Sequence, residues 1–160
     1  MNIQVYSCGG TIDKVYFDAR SAYEIGDPCV GAILQQANVQ FEYRVESLMR
    51  KDSLDMTDGD RQLLCDRIAG CPQRQILVTH GTDSMAESAL MLAGLADKTI
   101  VLTGAMRPAR FADSDAAFNV GCAIGALQSL PPGVYIAMNG RAFSAGKVRK
   151  NREAGRFEAL

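Results

Sequence analysis

Short apolar runs recur along the chain, most of them four to eight residues long, and between them lie stretches in which apolar positions return every three or four residues. The first pattern belongs to strands buried in a sheet, the second to helices that lie on it. Strands are therefore predicted at Ile3 to Cys8, Val39 to Glu46, Gln75 to His80, Thr99 to Thr103 and Val134 to Asn139, with a ribbon-like piece from Ala142 to Arg149. Helices are predicted at Pro28 to Asn38, Asp58 to Ala69, Met85 to Ala96 and Asp115 to Ser129. This alternation gives an α/β fold: one domain over residues 1–160, with a mainly parallel sheet and helices on both of its faces. Two helix starts carry cap signals, Asp27 ahead of Pro28 and the capping-box spacing of Ser84 and Glu87. Only the segment from Gly9 to Asp27 lacks a clear period. It is predicted to be a loop less ordered than the sheet, either a substrate lid just after the first strand or a connection without a role.

Charge and cysteine content then narrow the function classes. Lys plus Arg number 17 against 18 Asp plus Glu, so no overall field holds a nucleic-acid backbone or an anionic membrane surface. A small-molecule ligand is the expected partner. The opening MNIQVYSCGG runs directly into the first strand without the basic and apolar regions of a leader, and a cytoplasmic location is expected. Apolar runs stop well short of the roughly 18 to 20 residues of a membrane span. Five cysteines, Cys8, Cys29, Cys65, Cys71 and Cys122, are odd in number and scattered, which suits reduced thiols. Cys8 stands beside Gly9-Gly10, yet without a neighbouring cation or histidine it reads as a small buried residue and not a nucleophile. His80 is the single histidine, at a strand end, and reads as structural; with scattered cysteines around it, neither a metal nor a cofactor is expected.

In open α/β sheets ligands bind beyond the carboxyl ends of the strands, so the residues that follow each strand matter most. They are Gly9-Gly10-Thr11 after the first, Lys51-Asp52-Ser53 after the second, His80-Gly81-Thr82-Asp83 after the third and Thr103-Gly104-Ala105-Met106-Arg107-Pro108 after the fourth. Each has a plain structural alternative as a turn, a cap or a strand end. Together they put hydroxyls, glycines and a carboxylate in one crevice, where helix-start amides after Thr82 can meet a carboxylate or a developing oxyanion. Arg107 and Arg110 either attract an anion or stay solvated.

His80-Gly81-Thr82-Asp83-Ser84-Met85 resembles the second signature of the bacterial L-asparaginase and glutaminase-asparaginase family. Ser7 to Ile12 resembles that family's first threonine motif, Val101 to Pro108 a third shared segment, and Val148-Arg149-Lys150 the stretch that holds its active-site lysine. Ser53 to Asp58, Ser114 to Val120 and Gly133 to Asn139 match as well, so the resemblance covers essentially the whole chain in order. It implies an amidohydrolase in which Thr11 is the nucleophile, Tyr23 assists its activation, and Thr82, Asp83 and Lys150 form a second cluster. It also implies substrate contacts at Gly10, Ser53, Gly81 and Ala105, with Ser53 holding the substrate's carboxylate. The chemistry is coherent, because a threonine hydroxyl needs a neighbouring base and a lysine held by a carboxylate can relay protons. Which threonine attacks is left open, and Tyr16 in the same segment is an alternative to Tyr23.

Two departures concern the end of the substrate that carries an α-amino group. Family members normally have a second, smaller α/β domain, which in a neighbouring subunit closes the site, and that domain is expected to be missing from a chain that ends at Arg156 to Leu160. Leu54 also stands where the L-asparaginases usually place a glutamine that faces the ligand. The expected function is hydrolysis of asparagine or a related small carboxamide. The alternative is a non-catalytic module for aspartate-like ligands, or a subunit of an amidotransferase-like assembly. A homodimer or larger oligomer is expected, covering the apolar surface on which the second domain would pack. Finally, Thr11, Thr82, Asp83 and Lys150 are expected to share one pocket.

Overall fold

A computed structural model describes residues 1–95 and 97–160. In chain order the regular elements are β1 (Asn2–Gly9), β2 (Lys14–Phe17), β3 (Ala22–Ile25), α1 (Val30–Gln36), β4 (Glu42–Lys51), α2 (Asp58–Ala69), β5 (Gln75–Thr79), α3 (Met85–Leu92), β6 (Thr99–Thr103), α4 (Ala116–Ser129), β7 (Gly133–Met138), β8 (Arg141–Ser144), β9 (Val148–Asn151) and β10 (Arg156–Ala159). The main sheet has six strands in the order β4-β1-β5-β6-β7-β8. All neighbours in it are parallel except β7 and β8. Register aligns Val45, Val5, Leu77, Val101 and Tyr135 in one row across the sheet.

That row explains why the central strands read as continuous apolar runs. Val5, Leu77 and Val101 pack under α1 and α4 with Val30, Leu34, Val120, Ala123 and Leu127. Their neighbours Tyr6, Val78, Leu102 and Ile136 point the other way, under α2 and α3, against Leu64, Ile68, Met85 and Leu92. A strand covered on both faces has no polar side to alternate with. Each fully buried Leu or Ile stabilises by roughly 1.5 to 3 kcal/mol, so the two cores dominate the energetics.

Several boundaries differ from expectation. The segment from Gly9 to Asp27 is not an irregular loop: β2 and β3 pair as an antiparallel hairpin with Tyr16 opposite Tyr23. Each strand has only four residues, too short for a period to show, and the turn between them is a 3-10 turn closed by Ser21 at φ 48° rather than a glycine turn. Buried Asp13 anchors the hairpin base, where its carbonyl accepts the Gly26 amide at 2.8 Å. The ribbon from Ala142 to Arg149 divides, β8 joining the sheet and β9 pairing with β10 in a separate two-stranded sheet. Helix α1 starts later than Pro28, and β4 runs past Glu46 to Lys51. Helix α3 closes at Leu92, while Ala96, the expected end, lies outside the described residues.

Neither expected cap forms. Asp27 is exposed and paired with Arg50, and the Cys29 amide donates instead to Asp13 Oδ1 at 2.8 Å. Ser84 Oγ donates to the Ser53 carbonyl at 2.6 Å, while Glu87 meets Arg61 Nη2 at 3.2 Å. The Cys29 amide thus takes buried Asp13 as its acceptor in place of exposed Asp27, and the Ser84 hydroxyl is spent as a donor to Ser53. The capping box that does form is Thr57 with Asp60, at α2.

Glycines separate packing from propensity and yield a paired prediction. Gly10 has φ 88°, and a Cβ there would lie 2.4 Å from both the Cα and the amide nitrogen of Gly81. Gly121 sits inside α4 with nothing within 4 Å of an added Cβ. In urea unfolding, Gly10→Ala is expected to lose about 3 kcal/mol or more through strain and backbone collision. Gly121→Ala is expected to gain about 0.5 to 1 kcal/mol. Equal midpoints for the two variants would contradict the close approach.

Candidate active site

The strand order reverses between β1 and β5, since the chain leaves β1 toward β4 and continues from β5 toward β6. A crevice opens at the carboxyl ends of strands at such a switch point. Here the exits are locked together by backbone. Gly10 abuts Gly81, an added Cβ on Gly81 would lie 2.6 Å from Ser53 Cβ, and one on Gly104 would lie 2.3 Å from the His80 carbonyl oxygen. The Gly10 amide donates to the Lys51 carbonyl at 2.9 Å. Exits of β1, β4, β5 and β6 are thereby held at van der Waals separation, with no room for side chains between them.

Three of the expected residues meet directly. Lys150 Nζ donates to Thr82 Oγ1 at 2.7 Å and to Asp83 Oδ1 at 2.9 Å. The lysine's hydrogen bond is the main reason the Asp83 carboxyl is held below the usual carboxylate range, against the opposing effect of burial, and Arg152 adds to it. Lys150 arrives on β9 opposite Phe157, whose side chain is buried in the core under α3. The Phe157 amide donates to Asn139 Oδ1 at 2.9 Å, and the Asn139 amide donates to Asn119 Oδ1 at 3.1 Å. Fully buried Asn119 in turn donates to the Gly104 carbonyl at 3.0 Å and to Asp115 at 2.8 Å. A chain of amide side chains thus fixes the lysine-bearing ribbon to the loop after β6.

The other expected residues are placed differently. Thr11, half-buried, opens the 3-10 turn that follows Gly10, but the hydrogen bonds of Lys150 go to Thr82 and Asp83 and not to it. Ser53 is buried, and its Oγ accepts the amides of Asp83 at 3.1 Å and Ser84 at 3.2 Å. These helix-start amides, expected to face a ligand, are therefore already engaged by Ser53. Gly10 and Gly81 serve the close approach. The side chain of Ala105 is buried in the core beneath α4, which leaves only its backbone for a ligand. Tyr23 lies on β3, half exposed, its ring 5.4 Å from that of Tyr16 and 6.2 Å from that of Phe111. It lines a cleft of about 590 Å³ with Lys51, Asp52 and Asp55, beside the Ser53 turn. Because the two tyrosines pack together, a shift of the hairpin carries both.

Asp13 and Arg152 were not singled out by the sequence. Asp13 is buried, accepts from Ser7 Oγ at 2.9 Å and the Cys29 amide at 2.8 Å, and is pushed up by burial although those bonds oppose it. It closes the turn that begins at Thr11. An acid beside apolar Ile12, four residues after the first strand, was its signal. Cys8 is buried and its thiol is pushed up to about 12 by burial, in keeping with a structural residue. Arg107 is paired with Asp113. Among the described residues, no helix is long and apolar enough to cross a membrane, and no group of three or more His, Cys, Asp or Glu side chains could hold a metal ion.

His80 is wholly buried, with Nδ1 2.7 Å from the Gly81 carbonyl oxygen and Nε2 2.8 Å from Ser88 Oγ. A carbonyl only accepts, so Nδ1 carries the proton and Nε2 accepts the Ser88 hydroxyl. Ser88 Oγ can then accept Arg61 Nε, 3.2 Å away. The imidazole is neutral and props the Gly81 carbonyl from behind.

Residues 2–159 match the family model described as "Asparaginase, N-terminal". The chain is 33% identical over 161 residues to "Probable L-asparaginase periplasmic" of Haemophilus influenzae, with 93% of this chain and 46% of that protein covered. It is 31% identical to "L-asparaginase 2" of Escherichia coli, with the same coverage. Among solved structures, the thermostable L-asparaginase from Thermococcus kodakarensis superposes with a TM-score of 0.86 at 24% identity, covering 100% of this chain and 51% of that one. A probable cytoplasmic L-asparaginase from Campylobacter jejuni does so with 0.83 at 27%, covering 99% and 52%. The chain spans about half the length of the curated relatives it matches.

Burial holds the His80 pKa at about 4, below the 6.5 of an unfolded histidine. Between these values the unfolded chain binds the extra proton, so stability is complete above about pH 6.5 and is lost as pH falls toward 4, by about 3 kcal/mol from this residue. Urea unfolding at pH 7 and pH 4 is expected to show that loss in the parental protein and to show it reduced in His80→Gln. An equal pH dependence in both would mean the imidazole is not buried neutral.

Proposed function

This chain belongs to the asparaginase family, and we propose that it carries the nucleophile-bearing part of an amidohydrolase site, acting on asparagine or a related small carboxamide. The observation that supports this most is Lys150 reaching Thr82 at 2.7 Å and Asp83 at 2.9 Å, beside the crevice where Gly10 and Gly81 touch. A threonine hydroxyl attacks the amide carbonyl carbon and its proton passes to a base. The C–N bond then breaks as the nitrogen takes up a proton and leaves as ammonia. Water attacks the resulting ester, releasing the carboxylate and restoring the hydroxyl. In this reading Thr11 is the nucleophile, with Tyr23 brought onto it by the hairpin, and Thr82, Asp83 and Lys150 move the proton. Backbone at Gly10, Gly81 and Ala105, together with the Ser53 turn, borders the substrate.

Leu54, 68% exposed in the turn that follows β4, offers an apolar group next to Ser53 where the family's glutamine would face the ligand. It favours amides without a charged group at that end. The reading also includes a reducing, cytoplasmic setting, consistent with five free cysteines. It further includes a homodimer or larger assembly, for which exposed Tyr16, Phe17, Tyr23 and Phe111 supply apolar surface. Light scattering at micromolar concentration that gives a monomer counts against the assembly.

Ammonia release coupled to a reporter, across asparagine, glutamine and des-amino amides, tests the activity. Thr11→Val and Thr82→Val, which remove the hydroxyl and keep the shape, are each expected to lower turnover by about 10²-fold or more. Parental rates in both variants would sink threonine chemistry. Binding of an aspartate-like ligand without any turnover would replace the enzyme with a ligand-binding module.

A further inference from the structure

The polar contacts around Lys150 include a group that belongs to none of the motifs. Residues 152–155 form the turn between β9 and β10, and Asn151 pins it: its Oδ1 accepts the Ala154 amide at 3.0 Å and its Nδ2 donates to Glu158 Oε2 at 3.1 Å. Held by that turn, Arg152 Nη2 lies 3.1 Å from Asp83 Oδ1, the same oxygen that accepts from Lys150 Nζ at 2.9 Å. We propose that Arg152 is a positioning residue of this site, a second cation that keeps Asp83 paired in either protonation state of the lysine.

The argument is one of charge balance. Asp83 is 27% exposed in its side chain, so it is largely withdrawn from water. With a single cationic partner, such a carboxylate would be left uncompensated whenever the lysine handed on its proton, and it would hold that proton back. A guanidinium keeps its charge across the working pH range. Arg152 reaches the carboxylate from the solvent side, 67% exposed, and so loses little hydration in doing so. Of the other charges near the lysine, Glu153 is exposed on the turn and the rest are committed elsewhere. Arg149 and Arg156 pair with Glu158 on the ribbon, and Glu87 on α3 pairs with Arg61. Exposed ion pairs contribute little to stability, so the consequence of this contact lies in ionisation and not in folding energy. Its catalytic meaning rests on the amidohydrolase reading; the pairing itself does not.

The test follows the Asp83 carboxyl carbon by NMR through an acid titration, assigned with Asp83→Asn. Arg152→Gln is compared with the parental protein, and again in a Lys150→Met background where Arg152 is the remaining partner. In the Lys150→Met background, Arg152→Gln is expected to raise the Asp83 midpoint by on the order of one pH unit. Arg152→Lys is expected to keep it near the value with arginine. The proposal is overturned if Arg152→Gln moves the midpoint in neither background, or if Arg152→Lys shifts it as far as Arg152→Gln does. No substrate is involved, so the titration decides the role of Arg152 even when no amide in the panel is hydrolysed.

Discussion

Gly10 and Gly81 meet backbone to backbone where the chain leaves β1 and β5, and this contact sets the spacing of the groups at the carboxyl edge of the sheet. Without it, Thr11 and Thr82 would stand at the rims of separate loops. With it, both follow directly on a fixed point, and the Ser53 turn is drawn against the same place from β4. The cost is conformational: Gly10 occupies a region closed to most residues, which the two apolar cores on either side of the sheet have to support. Rigidity at the edge is thus derived from packing deeper in the molecule.

Around that point, polar groups are satisfied from behind. His80 turns its Nδ1 toward the Gly81 carbonyl, Asp13 closes the turn that begins at Thr11, and Asn119 links the loop after β6 to Asn139 and so to the ribbon. These residues are buried or anchored by hydrogen bonds and none of them touches Lys150, yet each holds an element that carries a member of the cluster. At His80 and Asn119 neutral groups suit this work, since a buried charge in their place would need its own counter-ion. The Asp13 carboxyl is instead met by the Ser7 hydroxyl and the Cys29 amide.

The sheet and its helices were legible in the sequence because burial on both faces writes long apolar runs and clear helical spacing, as at Gln75 to Thr79 and along α4. The cluster of Thr82, Asp83 and Lys150 was legible through motif resemblance. The β2–β3 hairpin was not, since two strands of four residues carry too little pattern. The caps expected at Asp27 and Ser84 do not form because the partners of these residues, Arg50 and Ser53, lie far along the chain, where neighbouring sequence carries no sign of them. Ser53 and Ala105 show the same limit: their positions beside the crevice could be read, but not that one is used up by helix amides and the other turned into the core. Arg152 gave no signal at all, being one cation among several on a polar turn.

The lysine enters the cluster on a two-stranded ribbon that stands apart from the six-stranded sheet and is joined to it through Phe157, Val148 and the Asn139 contact. A two-stranded ribbon has little stability of its own. Its place therefore depends on those few contacts, and elements held in this way open at a lower free energy than the whole domain. Partial opening there would take the ammonium group away from Thr82 and leave the sheet, the crevice and the other residues where they are. On the amidohydrolase reading, such an opening would silence the chemistry while the sheet stayed folded, so that activity would depend on the few contacts that dock the ribbon.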